Sequence, residues 1–220
     1  MQRIPEPELM DDPIQAAAYA AADFAEPHNM FVEKFREIFP EVRVIGKVLD
    51  LGCGPADVSI RFAKAYPDCL IDGVDGAKAM LQEGTRQLKR ENLADRIRLI
   101  QGLIPDIKVP EKQYSVIISN SLLHHLHDPA VLWRCIKNYS QDRTIIFVMD
   151  LMRPQTTQVA EELVNTYSGA EPLILKQDFY NSLCAAFTPE EVQGQLSTAG
   201  LGQLNIKDIS DRHLLVYGRR

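Results

Sequence analysis

A doubly wound α/β sheet, mostly parallel and finished by an antiparallel hairpin, is the fold class this sequence predicts. Three observations predict it. Short apolar runs such as Lys47 to Leu51 and Tyr114 to Ser119 have the length and density of central parallel strands, with amphipathic helical stretches between them. The run Val-Leu-Asp-Leu-Gly-Cys-Gly, residues 48–54, stops in a glycine turn and passes at once into a helix. Near the end, Gln203 to Ile209 and Leu214 to Tyr217 read as two strands about the polar turn Ser210-Asp211-Arg212-His213.

Size and composition agree with one such domain. The 220 residues are enough for a full α/β core but not for two large ones, and 45% hydrophobic with 25% charged content is ordinary for a globular protein. A net charge of −6 disfavours a nucleic-acid partner, which needs a basic face. The basic cluster from Arg86 to Arg98 alternates with Glu91 and Asp95 and reads as a solvated helix and loop. No stretch of eighteen apolar residues predicts a membrane span, and the acidic N-terminus lacks a signal pattern, so the expected location is cytoplasmic. Cys53, Cys69, Cys135 and Cys184 are scattered without Cys-x-x-Cys spacing and read as buried fillers.

Residues 1–13, rich in proline and acid, have little to bury and read as a loose lead-in. Ile14 to Phe24 is alanine-rich and helix-favouring, Pro27 interrupts, and Met30 to Phe39 sets Phe31, Phe35, Ile38 and Phe39 on one helical face. After the first strand, Asp57 to Tyr66 is a helix carrying Val58, Phe62 and Tyr66 on one side, and Pro67 ends it. Cys69 to Val74 is the second strand, Lys78 to Arg90 the next helix, and Arg96 to Ile100 the third strand. Tyr114 to Ser119 is the fourth. Asp128 and Pro129 then start a helix whose buried face is Val131, Leu132, Cys135, Ile136 and Tyr139. Thr144 to Met149 is the fifth strand. Gln155 to Phe187 exceeds a simple connection, and Val159, Leu163 and Tyr167 followed by Phe179, Tyr180 and Leu183 predict two helices there. The final helix has a complete start signal: Phe187 as staple, Thr188 as cap, Pro189 first, Glu191 closing a capping box, and an end at Ala199-Gly200.

The glycine turn and the residues beyond it carry the chemistry. Asp75 closes the second strand about twenty residues on, where a carboxylate can accept hydrogen bonds from both ribose hydroxyls. A dinucleotide fold wants a third glycine three residues after Gly54, but Asp57 stands there and would repel a pyrophosphate. Asp50, just before the turn, suits a ligand with an ammonium or sulfonium group. The stretch thus resembles motif I of the class I S-adenosylmethionine (SAM) dependent methyltransferases. Leu-His-His-Leu-x-Asp-Pro, residues 123–129, is similar to the segment many small-molecule members carry after strand four. The amino-methylating Asn-Pro-Pro-Tyr motif is absent at that place, which disfavours adenine N6 or protein glutamine as the acceptor.

The resemblance, over roughly residues 45–218, implies a Rossmann-like seven-stranded sheet with helices on both faces. It divides the single domain into an N-terminal helical cap (1–44), a SAM-binding core (45–153), a helical lid (154–187) and a C-terminal helix and hairpin (188–220). It implies SAM as cofactor, S-adenosylhomocysteine (SAH) as product, and a small-molecule acceptor. Asp50, Gly52, Cys53 and Gly54 are expected at the methionine end, Asp75 and Gly76 at the ribose, and Gly102, Leu103 and Ile104 at the adenine. Asn120 and Ser121 line the remaining edge, with Met80 and Tyr19 as further cofactor contacts. His125, or else His124, is expected to take a proton or orient the acceptor. Asp150, Arg153, Tyr167, Asp178, Tyr180 and Asn181 are acceptor candidates, with an internal Asp150–Arg153 pair as the equal alternative. No metal is expected, because adjacent histidines converge poorly on one ion and Asp128 is a helix cap. A SAM-binding regulator or scaffold without transferase activity is the alternative function. A nicotinamide-dependent dehydrogenase is disfavoured by Asp57 and the terminal hairpin.

Overall fold

The computed structural model describes residues 1–220. Its strands are β1 (Gly46–Leu51), β2 (Cys69–Asp75), β3 (Ile97–Gln101), β4 (Tyr114–Asn120), β5 (Ser140–Leu151), β6 (Asn205–Asp208) and β7 (His213–Arg219). They lie in the order β3-β2-β1-β4-β5-β7-β6, and only β7 runs against the others. The crossovers are helical: α3 (Asp57–Ala65), α4 (Lys78–Glu91) and α5 (Ala130–Tyr139) follow β1, β2 and β4. α1 (Pro13–Ala21) and α2 (Ala25–Ile38) precede the sheet, α6 (Thr157–Ser168) and α7 (Leu173–Ala185) fill the long insert, and α8 (Pro189–Ala199) leads to the hairpin. Strand order reverses between β1 and β4. A crevice opens outside their carboxyl ends, where sheets of this kind hold ligands.

Because side chains alternate along a strand, β4 sends Val116 and Ile118 to one face and Ile117 to the other, and β5 divides Ile145, Phe147 and Met149 from Ile146 and Val148. The first face receives α2 and α3 through Phe31, Phe35 and Phe62. Phe31 and Phe35 meet Phe147 edge to face, and Phe35 meets Phe62 likewise, with ring centroids 4.9–5.2 Å apart. The second face takes α5 and α8, where buried Trp133 donates its indole N–H to Gln195 Oε1 at 3.0 Å. The capping box of α8 is present in full between Thr188 and Glu191. All four cysteines are buried and free, and no helix is long and apolar enough to cross a membrane.

Three expectations need correction. Pro27 does not interrupt: it sits in the first turn of α2, where a missing N–H costs nothing, so the helix begins at Ala25. Arg96 is not a solvated loop charge. Its guanidinium donates to the carbonyls of Ala63, Tyr66 and Cys69 at 2.9–3.1 Å, tying the end of α3 to β2. The lead-in is not loose either, for residues 1–12 form a strap across the carboxyl edge of the sheet. Arg3 donates to the carbonyls of Ala185, His124 and Leu126 and lies 3.9 Å above the Phe187 ring. Glu8 accepts from the His127 N–H, Asp11 from the Ala79 N–H, and Asp12 caps α1. The strap is held by polar side chains on loop backbone, so its low hydrophobicity hid it.

Candidate functional site

One cavity runs along the carboxyl ends of β1, β2, β3 and β4. Gly52, Cys53, Gly54, Asp75, Gly76, Met80, Gly102, Leu103, Ile104, Asn120 and Ser121 all line it, with Asp50 beneath and Tyr19 from α1 above. The turn after β1 is fixed by β2: Gly52 N–H and Cys53 N–H donate to the Val74 carbonyl, and Gly54 N–H donates to Asp75 Oδ2 at 2.8 Å. The other Asp75 oxygen accepts from Ala77 N–H at 2.8 Å, while burial pushes the carboxyl pKa up. Both glycines have left-handed backbones, φ +72° at Gly52 and +51° at Gly54. A Cβ at Gly54 would meet nothing within 4 Å, so this turn faces open space. At Gly52 a Cβ would come within 2.8–3.0 Å of the Leu122 side chain. Gly52→Ala is therefore expected to lower unfolding free energy by about 1–3 kcal/mol, measured in urea, from strain and overpacking together.

Asp50 is 1% exposed and accepts a 2.5 Å hydrogen bond from Ser59 Oγ. Burial pushes its pKa up to about 7, against the Ser59 bond and with help from Asp75. Asp57 is turned aside: its carboxylate takes Arg61 Nε at 2.8 Å and faces His28 Nδ1 at 2.5 Å, and these contacts overcome burial to hold its pKa down. At the far end, Leu103 and Leu9 both close on Gly76 and stay 61% and 44% exposed. Asn120 Oδ1 is buried without a hydrogen-bond partner. Ser121 beside it holds a left-handed φ of +55°, strain of the kind kept where a site requires it.

A second cavity adjoins the first, sharing Tyr19, His28, Asn120, Ser121 and His125. Its walls add Phe24, His124, Met149, Tyr167, Leu175, Asp178, Phe179, Arg212 and His213, so α2, α6 and α7 close over it. The two histidines stand in a single 3-10 turn, Leu123–His125, after β4. Asp150 fixes that turn, taking Leu123 N–H at 2.7 Å on one oxygen and His124 Nδ1 at 2.5 Å on the other. Burial opposes charge on both partners, but their mutual attraction raises the His124 pKa and lowers that of Asp150. Burial, aided by the neighbouring His124, pushes His125 down to about 3.

Not every expected residue comes to the site. Asp150 lines neither cavity, being spent on the His124 turn, and Arg153 pairs with Glu191 at 2.6 Å and the Ala186 carbonyl rather than with Asp150. Tyr180 packs against the core between α6 and α7, and Asn181 accepts from Gln177 on the outer side. Tyr167 does reach the second cavity, with its hydroxyl donating to Asp211 and its ring under the Arg212 guanidinium at 3.2 Å. Glu6, Leu9, Met10, His28, Arg212 and His213 join the site without having been expected there. None of these sits in a periodic or motif-like stretch. The geometric objection to a metal does not hold, since His124 Nε2, His125 Nδ1 and a Glu6 oxygen lie within 4.8 Å of one another.

The strand order and the crevice are those of the SAM-dependent methyltransferases whose fold this chain shares. Residues 48–141 match the family model described as Methyltransferase domain. The chain is 32% identical over 100 residues to the malonyl-[acyl-carrier protein] O-methyltransferase of Halalkalibacterium halodurans, covering 44% of this chain and 35% of that one. It shares its fold with a SAM-dependent methyltransferase from Aquifex aeolicus, with a TM-score of 0.65 and 15% identity over 94% of this chain and 97% of the other. The plantazolicin methyltransferase BpumL, solved with SAH and a triazolic desmethylPZN analogue, superposes with a TM-score of 0.67 and 16% identity, covering 95% and 92%. The chain spans about a third or less of the length of the first curated relatives it matches.

Proposed function

We propose that this protein is a SAM-dependent methyltransferase acting on a small molecule, with SAM in the first cavity and the acceptor in the second. The observation that carries the reading is the shared wall. The turn and acidic strand end that would hold SAM open directly onto a separate chamber roofed by α2, α6 and α7. Asp75 would accept from the ribose hydroxyls, Leu103 and Ile104 would pack against the adenine, and Gly52, Gly54 and the unpartnered Asn120 Oδ1 would take the methionine end. When bound, the cofactor supplies a sulfonium methyl that is already electrophilic, so the protein's work is alignment and exclusion of water. The strap and the α6–α7 lid do the second, and the polar edge of Asn120, Ser121, His124 and His125 does the first. A net charge of −6 and an acceptor chamber walled by α2, α6 and α7 support a small acceptor over nucleic acid.

Calorimetric titration with SAH tests this reading, and absence of binding to the wild type would sink it. A pH series adds a check on Asp50. Its pKa is raised in the free protein, so its contribution to folding stability is fully present below the ordinary carboxylate pKa and is lost as pH rises toward 7. A cationic ligand beside it favours the ionised form. SAM affinity is therefore expected to rise with pH through about 7, about tenfold for each pKa unit the ligand restores, and Asp50→Asn to flatten the profile. An unchanged slope in that variant would exclude Asp50 from the cationic end.

A further inference from the structure

Glu6 of the strap carries its carboxylate into the turn that holds the two histidines. Glu6 Oε1 lies 3.6 Å from His124 Nε2 and 3.3 Å from His125 Nδ1, and the three side chains are 10%, 3% and 13% exposed. Neither approach is a hydrogen bond, and His125 Nδ1 is buried with no partner at all. His124 is oriented from behind, because Asp150 occupies Nδ1 at 2.5 Å and leaves Nε2 as the nitrogen facing Glu6. Three potential ligand atoms thus face one small volume with no hydrogen bond between them.

We propose that Glu6, His124 and His125 bind a divalent first-row transition cation. Zn2+ bonds of about 2.0–2.1 Å in tetrahedral array separate ligand atoms by about 3.4 Å, and the two separations straddle that value. Two imidazole nitrogens and one carboxylate oxygen are a donor set for such an ion, and three protein ligands leave a fourth position open. Asp150 supplies the carboxylate that metal-bound histidines ordinarily have behind them. Ser182 Oγ donates to Glu6 at 3.1 Å and holds the third ligand in place. Both histidines line the second cavity, so an exogenous fourth ligand would come from that chamber. Since Glu6 belongs to the strap, the ion would also fasten the strap over both cavities. The inference rests on these donors and not on the methyl-transfer reading, although it shares His124 and His125 with the acceptor edge.

The experiment is titration of the untagged full chain with Zn2+ against a chromophoric chelator, and with Co2+ by visible absorption, for the wild type, Glu6→Gln, His125→Ala and His127→Ala. The proposal expects one equivalent bound with the intense visible bands of low-coordinate Co2+. Affinity should fall at least tenfold in Glu6→Gln and in His125→Ala and by clearly less in His127→Ala, whose imidazole is no donor to the ion and reaches Glu6 only through its backbone carbonyl, at 2.9 Å. Glu6 lies outside the sheet and its helices, so its variant keeps the fold even if His125→Ala does not. SAH titration in parallel reports that the core is intact. No binding by the wild type, or binding that Glu6→Gln leaves untouched, overturns the site and leaves a proton on His124 as the occupant of that volume.

Discussion

Asp150→Ala is expected to lose about 3–5 kcal/mol of unfolding free energy, the cost of breaking a buried ion pair from one side. The residue is 1% exposed, and its two oxygens accept from His124 Nδ1, Leu123 N–H and Leu151 N–H. Truncation leaves buried His124 with only Glu6, 3.6 Å from Nε2, as counter-charge and strands two buried backbone donors. Asp150→Asn keeps one acceptor oxygen and loses less. Urea unfolding followed by circular dichroism separates the two variants. A loss under about 1 kcal/mol for the alanine would mean that the 3-10 turn holds itself and that Asp150 is not its anchor.

That role differs from the one position alone suggests. Asp150 and Arg153 follow an apolar run whose carboxyl end adjoins the crevice, so chain order placed both against an acceptor. The side chains decided otherwise. Asp150 is still within β5 and turns under the histidines, while Arg153 is drawn to Glu191, the same residue that closes the capping box of α8. Features resting on local chemistry were legible: a glycine turn between strand and helix, an acidic strand end, a cap followed by proline. Alternation of apolar residues likewise revealed the sheet and its hairpin, with β7 the one reversed strand.

The strap was not legible, for a physical reason. Residues 1–12 bury little apolar surface and are fixed by Arg3, Glu8 and Asp11 bonding to backbone far along the chain. Such contacts leave no period in the sequence. The convergence of Glu6 on His124 and His125 depends wholly on that placement, so adjacent histidines looked unfit for a common ligand until the third donor was in position. His28 was hidden in the same way, since its partner Asp57 belongs to a different helix.

Asp75→Ala is expected to weaken SAH binding at least 100-fold, about 3 kcal/mol, because the carboxylate does two things at once. It would meet the ribose hydroxyls, and it already holds the Gly54 and Ala77 N–H groups that shape both sides of the cavity. The two contributions can be told apart. If Asp75 contacts the ribose, an SAH analogue lacking the 2′-hydroxyl should bind the wild type several-fold more weakly than SAH but bind Asp75→Ala as well as SAH does, a non-additivity of about 1 kcal/mol or more. If Asp75 only shapes the turn, the analogue should lose the same factor in both proteins. Calorimetry on the four combinations decides between them. Equal and additive losses would leave the turn intact as a structural device and remove the ribose from this end of β2, and with it the orientation of SAM that points a methyl group toward the second chamber.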